Sequence, residues 1–480
     1  MLHALILIPL VGALIAGLLS DDQRRPLLLP LVALLHTGLT LAELWHPSGP
    51  AHGGWVQLDP LGSIVLLTIS LLFLGCSVYA VSYLRHDRPE RPNRFLCLSL
   101  LSCLAAMTLV CISQHLGLLW VAVAVATVSM APQIYYNTNA RSIEATWKYL
   151  LIGSVGIALA LLGVYFLAYA TLVAGVDATL QLESLLEVAP KLDQGWLRLG
   201  FVFLLVGFGV KLGLAPLHTW KPDAYGEAPG LVGALLAGGL TNCALLALIR
   251  VYQLMLAAGG DDRLYRVPMM VLGLFSMLVA AVFLVRQADF KRMLAYSSVE
   301  HMGLMVLALA IGKGALAGML LHLIGNGLAK GALFLSSGTL HRVYGSKSTL
   351  GVQGALRRVP WSGSILLGGF LAVTAFPPSL LFLSEFTIIT AAFRQGSWVA
   401  AVLLLLALAV VFLGMAPIVL GMVLGDPPSR LPSTSQRERL LTVLPPLVLL
   451  LLVVVLGVCL PPPLADLVHQ GAALLRGGCP

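Results

Sequence analysis

The chain has 480 residues, 59% of them hydrophobic and 10% charged, with a mean hydropathy of +0.94. A soluble globular domain carries about 25% charged residues, so this composition excludes one and points to a polytopic membrane protein. The net charge of +8 requires no nucleic acid partner, because basic loops gathered on one membrane face produce the same sign.

About fourteen spans are expected, near 2–20, 26–46, 60–84, 95–113, 115–135, 147–172, 196–216, 229–257, 267–286, 293–312, 315–341, 361–392, 398–424 and 440–460. Residues 2–20 lack a basic leader region and read as a retained first helix. The connection 173–195 is acidic, with Asp177, Glu183, Glu187 and Asp193, and has room for a surface helix. Nineteen of the 29 basic residues fall on one side of this layout, Lys221 among them, and eight on the other, including Arg250. The remaining two, Lys211 and Lys330, lie at membrane depth. The asymmetry places the richer side in the cytoplasm and both termini outside, in what is expected to be a bacterial cytoplasmic (inner) membrane.

Two spans look interrupted. Lys211 lies in the apolar segment that begins near Trp196, and Pro216 follows it. An intramembrane charge costs about 2.5–3.5 kcal/mol on insertion scales and is a functional site by default. The second interruption is Phe376-Pro377-Pro378-Ser379, followed by Leu383-Ser384-Glu385-Phe386. Broken helices at matching positions in two halves point to an inverted repeat with an ion path between them.

Between the breaks, His322, Asn326 and Lys330 recur every fourth residue and share one helix face. Such a stripe suits a row of waters and proton transfer, or polar contacts between helices. Glu385 suits proton handling or a structural ion pair. Glu300 and His301 are read at the start of the tenth span, where the acid is partly a matter of helix dipole and capping. His218 follows the first break as a relay or a loop contact, and Asn242 is a polar residue in the middle of the eighth span, suited to holding a water. None of the seven cysteines forms a CxxC pair, and no phosphate-binding loop or dinucleotide fingerprint is present, so no metal, cofactor or catalytic site is expected in this chain.

Several of these stretches together resemble one family. They are Lys211 to Asp223, Leu294 to Gly303, the His322–Lys330 helix and Phe376 to Phe386, supported by Leu58-Asp59-Pro60, Leu116 to Val121, Arg141 to Tyr149 and Asn242 to Leu245. The chain is similar to the antiporter-like membrane subunits of respiratory complex I, of hydrogenase-4-type complexes (their F-type component above all) and of multisubunit cation/proton antiporters. The resemblance implies an all-α fold of about fourteen transmembrane helices, with two inverted five-helix repeats broken in helices 7 and 12. The division it suggests is 1–93, an N-terminal three-helix segment; 94–257 and 258–425, the two repeats; and 426–480, a C-terminal helix and tail. It implies a proton route in which Lys211, Lys330 and Glu385 match the essential ionisable residues, with His322 beside them. The implied partners are membrane and peripheral subunits of a larger assembly, lipid, and protons or sodium ions. Any redox chemistry belongs to the assembly. Rival readings are a cation/proton antiporter subunit, an energy-coupling subunit of an inorganic-carbon uptake complex, and a degenerate scaffold.

Three departures stand out. The family's fifth-helix glutamate corresponds to Ala124, its second eleventh-helix histidine to Asn326, and a leucine after Thr219-Trp220 to Lys221. No Asp or Glu occurs between Glu90 and Glu144, so no shift in register supplies the missing acid.

Overall fold

The computed structural model describes residues 1–87, 92–176, 179–427 and 438–476. Arg88, Arg91, Asp177, Arg430, Arg437 and Cys479, which entered the sequence reading, lie outside them. The described chain is all-helical, with isolated β-bridges only. The first six helices are α1 (Leu2–Leu18), α2 (Leu28–Trp45), α3 (Pro60–Ser82), α4 (Arg94–Ile112), α5 (Leu116–Ile134) and α6 (Ala140–Val173). A short α7 (Leu182–Val188) fills the acidic connection, where a surface helix was expected. Then come α8 (Gln194–Leu212), α9 (Trp220–Glu227), α10 (Gly230–Leu235), α11 (Thr241–Ala258), α12 (Arg263–Leu284), α13 (Phe290–Ile311) and α14 (Ala315–Tyr344). The chain closes with α15 (Ala355–Arg358), α16 (Pro360–Val373), α17 (Leu380–Arg394), α18 (Trp398–Leu424), α19 (Leu440–Val458) and α20 (Pro462–Leu474). Among the described residues, twelve helical segments are long and apolar enough to cross a bilayer, and α1 and α16 are shorter apolar helices. Helix α20, packed through Gly471 near Leu61, Ile64 and Leu320, has no counterpart among the expected spans.

Both expected breaks are present. Helix α8 stops one residue after Lys211, because Gly213 takes a left-handed conformation (φ 70°) that closes the helix end. Leu214 N–H then bonds back to the Gly209 carbonyl, and the chain turns before α9. Helix α16 ends at Val373, and Ser379 caps α17, its hydroxyl accepting from Phe382 N–H at 3.2 Å.

Helix α14 is the axle of the fold. It packs against α3, α10, α13, α16, α17, α19 and α20 and is buried along nearly its whole length. Close backbone approach makes this enclosure possible: a Cβ on Gly238, in the π-helical turn between α10 and α11, would lie 2.7 Å from the Gly327 carbonyl oxygen.

The structure corrects two placements. Helix α13 starts at Phe290 with Asp289 as its cap, so Glu300 and His301 lie about three turns in and are fully buried; they take no part in capping. Lys221 and Arg250 are enclosed by protein and are not loop charges. Arg250 on α11 donates to Asp59 at 3.0 Å and to the Cys111 carbonyl at 2.7 Å, tying together the start of α3 and the end of α4. Five cysteines, Cys76, Cys97, Cys103, Cys111 and Cys243, are buried in helices, whereas Cys459 is exposed.

Candidate functional site

The polar residues of α13, α14 and α17 meet inside the bundle. Lys330 Nζ donates to Ser297 Oγ at 2.6 Å. One residue further along α13, Ser298 Oγ receives Lys221 Nζ at 3.2 Å. Three residues beyond Ser297, Glu300 Oε2 lies 3.4 Å from His301 Nδ1. His301 Nδ1 and His322 Nε2 are 3.0 Å apart, and His322 Nδ1 lies 2.9 Å from Ser384 Oγ. Glu385 follows in sequence. Two linked sets of proton-bearing groups, Lys330–Ser297 and Glu300–His301–His322–Ser384, therefore lie across three helices, with a Glu385 oxygen within 4.8 Å of the two histidines. Each group is buried, so the helix spacing of α14 (His322 and Lys330 two turns apart) fixes which part of α13 each one meets.

Several atoms of this cluster have no protein partner: Glu300 Oε1, His301 Nε2, Glu385 Oε1 and both side-chain polar atoms of Asn326. An unpaired buried polar atom costs about 1–3 kcal/mol, so their concentration in one place marks a polar interior rather than a packing accident. One ligand atom from each of His301, His322 and Glu385 also lies within 4.8 Å of the other two, the arrangement among the described residues best suited to a bound cation. Lys330 acts electrostatically on both histidines and opposes a divalent ion there.

The first half is built differently. Lys211 Nζ is buried, and no acid contacts it among the described residues. It lies over the Tyr149 ring at 5.3 Å, a cation–π contact. A Cβ on Gly153 would fall 2.6 Å from this nitrogen and 3.6 Å from the Thr127 methyl, so the missing side chain on α6 leaves room for the lysine tip. Tyr149 packs edge-on against Trp220 at 5.2 Å, and Trp220 against Tyr225 at 6.2 Å. Aromatic rings thus stand between Lys211 and Lys221, which itself lies 5.9 Å over the Tyr225 ring.

Besides Lys211, Asn242 and His218 sit apart from the hydrogen-bonded cluster. Asn242 donates to the Gly238 carbonyl at 2.9 Å and the Leu323 carbonyl at 3.4 Å, which leaves its Oδ1 unpaired between α11 and α14. His218 lies in the turn after α8, beside Phe283 and Tyr296, with Nδ1 unpaired. The sequence reading did not assign Ser297, Ser298, Ser384 or Lys221 to the site. The three serines lay inside the motifs it used, and Lys221 was visible as a departure from the family pattern.

Residues 113–411 match the family described as NADH:quinone oxidoreductase/Mrp antiporter, TM. The chain is 33% identical over 487 residues to the hydrogenase-4 component F homolog of Methylacidiphilum infernorum, covering 98% of this chain and 99% of that protein. It is 31% identical over 385 residues to NADH-quinone oxidoreductase subunit N of Desulforudis audaxviator, covering 78% and 74% of the two chains. In fold it superposes with TM-score 0.87 and 22% identity on a chain of the archaeal membrane-bound sulfane sulfur reductase, a respiratory membrane complex, covering 99% of this chain and 97% of that one. With the family match spanning well over half of its length, this chain belongs to the NADH:quinone oxidoreductase/Mrp antiporter family of membrane subunits.

Proposed function

We propose that this chain is the proton-conducting membrane subunit of a complex I-like or hydrogenase-4-like assembly. The observation that carries the reading is the buried chain Lys330–Ser297, Glu300–His301–His322–Ser384, with Glu385 at its end. Lysine, imidazole, hydroxyl and carboxyl can each take and pass a proton, and the unpaired atoms of Asn326, Asn242 and Glu385 suit bridging waters. The route runs from Lys211 past Asn242 to Lys330 and His322 and on to Glu385, with His218 at its mouth.

Fourteen crossings follow if α1 and the α16–α17 pair are added to the twelve long segments. The two breaks then fall in helices 7 and 12 and support inverted repeats over 94–257 and 258–425. Relatives named as a component or a subunit support partner subunits around this chain. The asymmetry of basic residues supports a bacterial inner membrane location with both termini on the outer face. The unpaired Lys211 supports a second reading, in which the first half has lost independent pumping and only the second half conducts.

The test is proton uptake by membrane vesicles carrying the chain in its native assembly. Lys330→Ala is expected to cut uptake about tenfold or more, and Lys211→Ala by clearly less. Unchanged uptake in Lys330→Ala, with the assembly intact, would leave a scaffold. Uptake that follows sodium instead of pH would favour cation/proton antiport.

A further inference from the structure

We infer that Lys221 is a proton-carrying residue that hands its proton to Lys330; this rests on the proton-conducting reading above. Lys221 is fully buried on the short helix after the first break, and its Nζ donates to Ser298 Oγ at 3.2 Å and to the Ser298 carbonyl at 3.4 Å. Lys330 Nζ rests on the neighbouring serine, Ser297, at 2.6 Å. The two side-chain nitrogens are thus held by consecutive residues of α13.

The fold makes room for this side chain. Gly213 is left-handed and lies at the end of α8, and a Cβ there would overlap the Lys221 stem. The glycine that ends the helix two residues after Lys211 is therefore also the wall of the Lys221 slot.

A structural role explains the arrangement poorly. No carboxylate among the described residues forms a salt bridge with Lys221, although Glu300 acts on Lys330. Two like charges buried in the protein repel strongly, so the pair is better suited to exchanging one proton than to holding two. In the transfer, Lys221 goes from ammonium to neutral amine, Lys330 goes from neutral amine to ammonium, and the total charge is unchanged.

The test compares proton uptake in vesicles carrying the assembly with Lys221→Leu, Lys221→Arg or Lys221→His. Assembly is checked by copurification of the partner subunits. Leucine removes the proton site, and arginine keeps the charge but does not release its proton. Both are expected to lower uptake at least about fivefold, whereas histidine, which titrates, retains a measurable share. Wild-type uptake with leucine or arginine overturns the inference, and so does equal loss with histidine and leucine. Lys330→Ala serves as the control: if it leaves uptake intact, the conducting reading itself falls, whereas loss in Lys330→Ala with normal uptake in Lys221→Leu sinks this step alone.

Discussion

His301 Nδ1 and His322 Nε2 stand 3.0 Å apart, so the two rings share one proton between them. Because His322 Nδ1 meets Ser384 Oγ and Ser384 Oγ also reaches the Leu381 carbonyl at 2.8 Å, the polarity of the pair is linked to that of the serine. If His301 donates, His322 donates to Ser384. If His322 donates to His301, it accepts from Ser384. A proton passing through the pair would convert one orientation into the other.

His322→Phe keeps a ring in the space and removes both nitrogens. Proton uptake is expected to fall about tenfold or more, while the thermal stability of the detergent-solubilised assembly changes little. Wild-type uptake in this variant would show that protons bypass the histidine pair.

Arg250 holds parts of the chain that are far apart in sequence. Its guanidinium joins α11 to Asp59 and to the carbonyls of Cys111 and Val110. Arg250→Leu leaves two carbonyls without this donor and Asp59 with only the Gly62 N–H, and is expected to destabilise the protein by about 3 kcal/mol. A thermal or denaturant unfolding curve measures the loss. Lysine restores only part of it, because it lacks the planar fork that serves several acceptors.

The second break is held from outside by α19. A Cβ on Gly457 would overlap the Pro378 carbonyl and crowd Ser379. Gly457→Ala is therefore expected to cost about 1–3 kcal/mol through overpacking and to increase deuterium uptake in the first turn of α17. Unchanged exchange there would show that α19 does not brace the break.

At the start of α5, the His115 ring stacks on Trp55 at 4.1 Å, and its Nδ1 accepts from Leu118 N–H at 3.3 Å. Burial holds this imidazole below its ordinary value of 6.5. Only the neutral ring can accept, so the cap is fully present above that value and is lost as pH falls through the lowered one. Deuterium uptake at Leu118 should rise on acidification. His115→Asn, which accepts without titrating, should remove that pH dependence.

The sequence made the class, the positions of the long spans and both breaks legible, because an apolar run and a Pro/Gly interruption are local signals. The His322–Lys330 stripe was legible for the same reason: polar residues at helical spacing stand out in an apolar segment. Depth was harder to read. Glu300 looked like a helix-start residue because Lys291 and Arg292 suggested a loop, yet Asp289 sets the start and carries the basic pair into α13. Lys221 looked like a loop charge because it follows a break, and only the close approach of α9 to α13 shows it buried. The Arg250–Asp59 pair spans 191 residues and leaves no local trace.

The contact of Gly238 with the Gly327 backbone limits how α14 can move against the turn between α10 and α11. Helices that touch main chain to main chain cannot slide past one another by a turn without collision, since no side-chain layer remains to yield between them. The seam is a weld rather than a bearing. Rearranged charge and reoriented hydrogen bonds between Lys221 and Glu385, as proposed above, ask no sliding of this seam.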